Sequence, residues 1–195
     1  LTCLLQAGGV CAEGDPADAA SAYPRVDVRA DCGAAGDGVA DDTEAFQKAA
    51  AMIQQAGGGT LVIPAGTYVV GRQTHVPGEY PYYRAEPIFR VKELKFLRIE
   101  GNRAKLRLSP GLRFGSFDKD TGERYDPPAM PFVDGKYAAY AGHMLEISDS
   151  RNVAIRDLEL DGNLGELVIG GQYGDTGRQL PACGIFLHNN SDVRL

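Results

Sequence analysis

One apolar template occurs three times in this chain, and it constrains the fold more than any other feature. Phe89-x-Val91 is followed six residues after Val91 by Leu97-x-Ile99, Leu145-x-Ile147 likewise by Val153-x-Ile155, and Ile185-x-Leu187 by Val193-x-Leu195, so the copies are offset by 56 and 40 residues. An i, i+2 apolar pair sends both side chains to one face of a strand, and a short polar turn between pairs bends the chain without reversing it. Each copy then makes two sides of a coil. Glu100-Gly101 and Arg156-Asp157 place residues that tolerate left-handed backbone at matching positions, where a sharp bend is expected. Leu158 and Leu160 resume the inward pattern, as they must if coils stack through parallel strands over a continuous aliphatic column.

Composition agrees with a turn-rich β architecture. Gly 25 in 195 residues is well above the ordinary share of roughly 7%. Lys+Arg 20 against Asp+Glu 26 leaves a net charge of −6, so no global positive field exists to collect nucleic acid. No stretch approaches the ~20 apolar residues that span a bilayer. Leu1 to Val10 is modestly apolar and runs through Val10-Cys11-Ala12 into acidic Glu13-Gly14-Asp15, which resembles the end of a secretory signal peptide, with Ala20-Ser21-Ala22 as a second small-x-small option. The organisation expected is therefore a leader remnant and flexible N-terminus over 1–22, a single domain over 23–195, and a secreted or periplasmic location. Cys3 and Cys11 would leave with the leader. Cys32 and Cys183 then remain, either bridged in an oxidising compartment or as buried free thiols. No CxxC or HExxH offers zinc an anchor.

The segment Arg25 to Ala30 alternates and reads as a strand, followed by a Gly-rich loop from Gly33 to Gly38. Asp41 stands where a helix N-cap belongs, with Glu44 three residues on as in a capping box. Ala45, Phe46, Ala49, Ala50, Ile53 and Ala56 then recur at helical spacing, and Gly57-Gly58-Gly59 supplies a left-handed terminator. Thr60 to Pro64 and Thr67 to Gly71 read as two short strands about a bend at Ala65-Gly66. Insertions at Arg72–Pro87, Ser109–Gly142 and Asn163–Pro181 interrupt the coils. In solenoids such inserts gather on one face and wall a groove.

The run Asp31-Cys32-Gly33-Ala34-Ala35-Gly36-Asp37-Gly38-Val39-Ala40-Asp41-Asp42-Thr43-Glu44-Ala45-Phe46, with Gly57-Gly58-Gly59-Thr60 and Ile63-Pro64-Ala65-Gly66-Thr67-Tyr68, resembles the N-terminal signature of the pectate lyase superfamily closely over Val26 to Val70, and the coil template extends it loosely to Leu195. Cys32 stands where an aromatic is usual. The resemblance implies an all-β fold, a right-handed single-stranded parallel β-helix whose N-terminal end is capped by an α-helix over Asp42 to Ala56. It also implies catalytic carboxylates on later coils. Because the chain stops in mid-template, C-terminal truncation is expected. The family spans hydrolases, lyases, epimerases and tailspikes. A polysaccharide partner follows, with no nucleic acid and no membrane, and with Ca2+ as the cofactor expected of a lyase alone.

Six groups of residues bear on chemistry. Asp37, Asp41, Asp42 and Glu44 are acidic, but turn and capping roles account for each, and they lack the spacing of a calcium loop. Gly33, Gly36 and Gly38 are in the wrong order for a dinucleotide fingerprint. Glu159 and Asp161 alternate with Leu158 and Leu160, so both point outward about 7 Å apart, a separation that suits an inverting acid and base; a solvated face is the plainer account. From Arg84 to Arg113 nine basic residues stand against three acidic, and Arg103, Lys105 and Arg107 share one outward face where an anionic polymer could dock. Tyr82, with Tyr80 and Tyr83, is a candidate sugar wall in a protein with no Trp. His75, His143 and His188 stand alone and receive no role. The rival to an enzyme is a noncatalytic glycan-binding or adhesin-like β-helix.

Overall fold

The paired apolar positions lie side by side in parallel register. The computed structural model describes residues 21–79, 81–115, 117–118, 120–123, 139, 141–170 and 184–195. Strands β7 (Phe89–Lys92), β10 (Leu145–Ser148) and β13 (Ile185–His188) form a three-stranded parallel sheet, here the first face. Its registers are Phe89 to Leu145 to Ile185 and Val91 to Ile147 to Leu187, the two offsets of the sequence template. A larger parallel sheet follows the order β1 (Arg25–Asp27), β3 (Gly59–Val62), β8 (Leu97–Leu108), β11 (Arg151–Asp161) and β14 (Ser191–Arg194), with β2 (Asp37–Asp41) and β4 (Thr67–Val70) joined to it through β8.

Strands β8 and β11 each run through a bend, so this sheet presents a second face, up to Glu100 and Arg156, and a third face beyond it. At the bend Gly101, Asn102 and Arg103 oppose Asp157 alone, because Glu100 pairs Arg156 and Ala104 pairs Leu158. Left-handed backbone falls at Asn102, Arg103 and Asp157, at φ 48, 63 and 54, and not at Gly101. Gly101 is needed for a different reason: a Cβ there would collide with the Asp157 carbonyl. The core runs as columns, Val26–Leu61–Ile99–Ile155 on the second face and Tyr68–Leu106–Leu160 on the third. Ile99 is fully buried and Ile155 nearly so. Leu195 is 76% exposed, one residue past β14, so the inward pattern expected to include it ends at Val193, which packs on the core.

Helix α1 (Thr43–Ala56) buries Ala45, Phe46, Ala49, Ala50 and Ile53 against that core and ends at Gly57 with φ 70. Its N-cap is Asp42, one residue later than expected, and the Asp42 carboxylate makes no cap bond. The neighbouring Asp41 accepts instead from the Thr43 N–H and hydroxyl, at 2.9 and 2.5 Å. Glu44 makes an i, i+4 ion pair with Lys48 at 3.3 Å and closes no capping box.

Among the described residues five strands escaped the sequence reading, β2, β5 (Gln73–His75), β6 (Tyr83–Ala85), β9 (Arg113–Gly115) and β12 (Val168–Gly170). β2 continues the Gly-rich loop, while β9 and β12 pair in parallel from inside two of the insertions. The first insertion is an antiparallel hairpin of β5 and β6. The expected first strand is cut short after Asp27, whose carboxylate accepts from the Arg29 and Ala30 N–H groups. Cys32 is buried and free. The leader expected over 1–22, apart from Ser21 and Ala22, and Cys183 lie outside the described residues. No helix among the described residues is long and apolar enough to cross a membrane.

Candidate functional site

The N-terminal signature builds scaffold. Asp42, buried at 4% exposure, accepts from the Ala35 and Gly36 N–H groups at 2.6 and 3.1 Å, tying the Gly-rich loop to the start of α1. Arg29 donates to the Gly36 carbonyl at 3.1 Å and stacks over Tyr68 at 5.4 Å, while a Cβ at either Gly36 or Gly66 would strike its guanidinium. Burial pushes the Tyr68 phenol above its usual value, and its hydroxyl donates to the Pro64 carbonyl at 2.7 Å. The acidic run is spoken for residue by residue. Asp37 accepts from Val39 and Ala40, and Asp41 from Thr43 and from Arg72 at 2.5 Å. Among the described residues no three His, Cys, Asp or Glu side chains gather into a metal-sized group.

On the third face, the carboxylates and the cations singled out from sequence meet one another. Lys105 pairs Glu159 and Arg107 pairs Asp161 in register, with ion pairs of 2.7 and 2.9 Å. The Asn163 N–H, then Arg107, hold the Asp161 carboxyl below its usual value. A carboxylate so held stays charged at neutral pH, whereas a general acid works from a raised pKa. Arg103 lies apart from this ladder, exposed on the left-handed bend. Tyr82 packs beside a separate cluster of Tyr83, Phe117 and Ala139. There Tyr83 donates to the Gly122 carbonyl at 2.7 Å, stacks on His75 at 4.7 Å and lies under Arg113 at 4.7 Å. These are the contacts of an anchored loop.

The first face holds a group that sequence reasoning left apart. His143 stacks on Phe186 with centroids 4.8 Å apart and planes 12° from parallel, and Phe186 lies 6.4 Å and 9° from His188. Arg90, Glu146 and Phe186 occupy one outward row over three successive strands, and Arg90 donates to Glu146 at 2.7 Å. An aromatic row beside a guanidinium is suited to the C–H face and the carboxylate of an acidic sugar. Imidazole is also the side chain that exchanges protons nearest neutral pH. The sequence held one signal of this group: Phe186 puts an aromatic ring in a slot where the other copies of the template carry Arg90 and Glu146.

Residues 26–77 match the model of a family described as rhamnogalacturonase A/epimerase, pectate lyase-like. No curated protein and no solved structure matches the chain. The matched span covers the Asp42 and Arg29 scaffold and α1, and ends before the Arg90–Glu146–Phe186 row and the Lys105–Glu159 and Arg107–Asp161 pairs.

Proposed function

We propose, from the match of residues 26–77 to a pectate lyase-like family model, a secreted carbohydrate-active protein that works on an acidic polysaccharide of the pectin or uronan kind. In this reading the parallel strands belong to a right-handed β-helix closed at its N-terminal end by α1. The observation that carries the site is the His143–Phe186–His188 row beside the Arg90–Glu146 pair. The row of stacked rings, with Phe186 in it, supplies the sugar platform, and Arg90, released from Glu146 when substrate arrives, takes the sugar carboxylate. Either imidazole can move a proton.

Two reactions fit that assignment. Hydrolysis needs an acid and a base about an oxocarbenium-like transition state; β-elimination needs a base for the α-proton and a cation, with calcium as the expected ion, to hold the developing anion. A panel of neutral and uronic polysaccharides separates them, with new reducing ends alone marking hydrolysis and unsaturated ends marking elimination. Chelating calcium should stop elimination and leave hydrolysis intact. Phe186→Ala should cut turnover by about tenfold, the loss of roughly one stacking contact of 1.4 kcal/mol. If no polysaccharide is bound or altered, the reading fails.

A second reading has its own support. The two carboxylates spaced to serve as an acid and a base, Glu159 and Asp161, are each ion-paired, to Lys105 and Arg107, as befits a surface that binds without proton transfer. Tight binding with no product, still lost in Phe186→Ala, would identify a glycan-binding module.

A further inference from the structure

The second face carries a charge pattern that the ladders elsewhere lack. Its outward row runs Arg25, Thr60, Arg98, Ala154 and Arg194 across five paired strands. Three arginines thus alternate with small residues, repeating every two strands, or about 9.5 Å. On the third face Lys105 and Arg107 each meet a carboxylate in register. Here a single carboxylate, Glu100, serves both Arg25 and Arg156, at 2.6 and 2.7 Å, and those two side chains remain 61% and 60% exposed.

The corner leading onto this face adds Lys95 and Arg151, both exposed and placed one strand apart, since Arg151 donates its N–H to the Leu94 carbonyl. Against these cations stand Asp27, occupied by the Arg29 and Ala30 N–H groups, Glu100, and the exposed Glu93, Asp149, Asp157 and Asp192. An aromatic element lies at the same place. Tyr23 stacks on Phe96 at 5.9 Å with planes 6° apart, and Arg98 lies over Phe96 at 5.7 Å.

We propose that the second face is a docking surface for a linear acidic polysaccharide, read by the Arg25–Arg98–Arg194 row with Tyr23 and the Lys95–Arg151 corner, and separate from the site on the first face. The spacing selects the partner. Nucleic acid presents a charge every 3.4 Å along each strand, much denser than the arginine row. A polysaccharide with one acid group per disaccharide presents charges at about the separation of these arginines and offers pyranose faces to an aromatic ring. Such a surface would hold a chain whose distant part lies in the first-face site. The proposal rests on the carbohydrate reading, and the test separates the two.

The test is binding of the full chain to four immobilised polymers at low and at raised salt: a polysaccharide with one carboxylate per disaccharide, one with a carboxylate on every sugar, a neutral galactan, and duplex DNA. The parent should prefer the first, and salt should weaken that binding. Arg98→Gln with Arg194→Gln should lower its affinity about tenfold, or about 1.4 kcal/mol, while Lys105→Gln with Arg107→Gln leaves it unchanged. Arg194→Gln alone, at an exposed site, should give a smaller loss without any effect on folding. Equal affinity in the parent and the Arg98/Arg194 variant overturns the docking surface. So does binding of DNA as tight as that of the polysaccharide, which would mark an indiscriminate cation patch. A parent that binds no polysaccharide at all overturns the carbohydrate reading itself.

Discussion

Glu100 sits at 7% exposure between two guanidiniums, and a charge so enclosed is stable while both partners remain. The Arg25 hydrogen bond, outweighing the cost of burial, holds its carboxyl below the ordinary 4.5. A carboxyl lowered in the folded state stabilises that state fully above its unfolded value, and the contribution disappears as pH falls through the lowered native value. Stability should therefore decline as the medium is acidified below about pH 4.5, and Glu100→Gln should be less stable than the parent at pH 7 with a shallower acid limb. Denaturant midpoints from pH 7 down to pH 3 measure this, and identical slopes in the two proteins would contradict it. Glu100 could be placed at a bend from sequence, but its partners could not. Arg25 lies 75 residues away and Arg156 becomes its neighbour only once the register is known. Gly101 shows the same limit, because a residue chosen for close approach to a backbone carbonyl looks in sequence like one chosen for positive φ.

The corner between the first and second faces is held by side chains that replace strand hydrogen bonds. The Leu94 N–H donates to the Ser150 hydroxyl at 3.0 Å, that hydroxyl donates to the Ser148 carbonyl at 2.7 Å, and the Ser150 N–H donates to Asn190 Oδ1 at 2.8 Å. The same link thereby recurs from Leu94 to Ser150 and from Ser150 to Asn190. Ser150→Ala leaves the buried Leu94 N–H without its acceptor and should cost about 1–3 kcal/mol, whereas Ser148→Ala, on an outward position, should stay within about 0.5 kcal/mol. Equilibrium denaturation of the two variants checks the difference. At this scale the template was legible wherever apolar pairs mark the strand, as in β7, β8, β10, β11, β13 and β14. It was illegible in β9 and β12, because Gly115 and Gly170 approach so closely that a Cβ at Gly115 would strike the Gly170 carbonyl, and a strand built on such contacts has no aliphatic alternation to read. The helix start was misplaced by one residue because cap position and cap side chain part company: the Ala35 and Gly36 N–H groups take the Asp42 carboxylate, and Asp41 accepts from the Thr43 N–H in its stead.

Stacking in parallel register makes each strand depend chiefly on the strands beside it, so damage should spread by nearest-neighbour coupling. The fully buried Ile147 lies between Val91 and Leu187. Ile147→Ala removes about 2–5 kcal/mol of packing, and the loss should appear first in β10, then in β7 and β13, and least in β3 and β1, two and three strands away from β11 through β8. Amide hydrogen exchange followed strand by strand measures that gradient. A uniform loss of protection would mean that the whole stack unfolds as one unit and that rigidity is shared across it. A graded loss would mean that the outward faces are held locally: the His143–Phe186–His188 row would loosen with Ile147, while Arg25, over the Val26–Leu61 end of the core, would keep its place. The proposed polymer-docking row could then be disturbed at its Arg194 end without losing Arg25, which makes the position of a core substitution along the stack a means of separating the two faces by experiment.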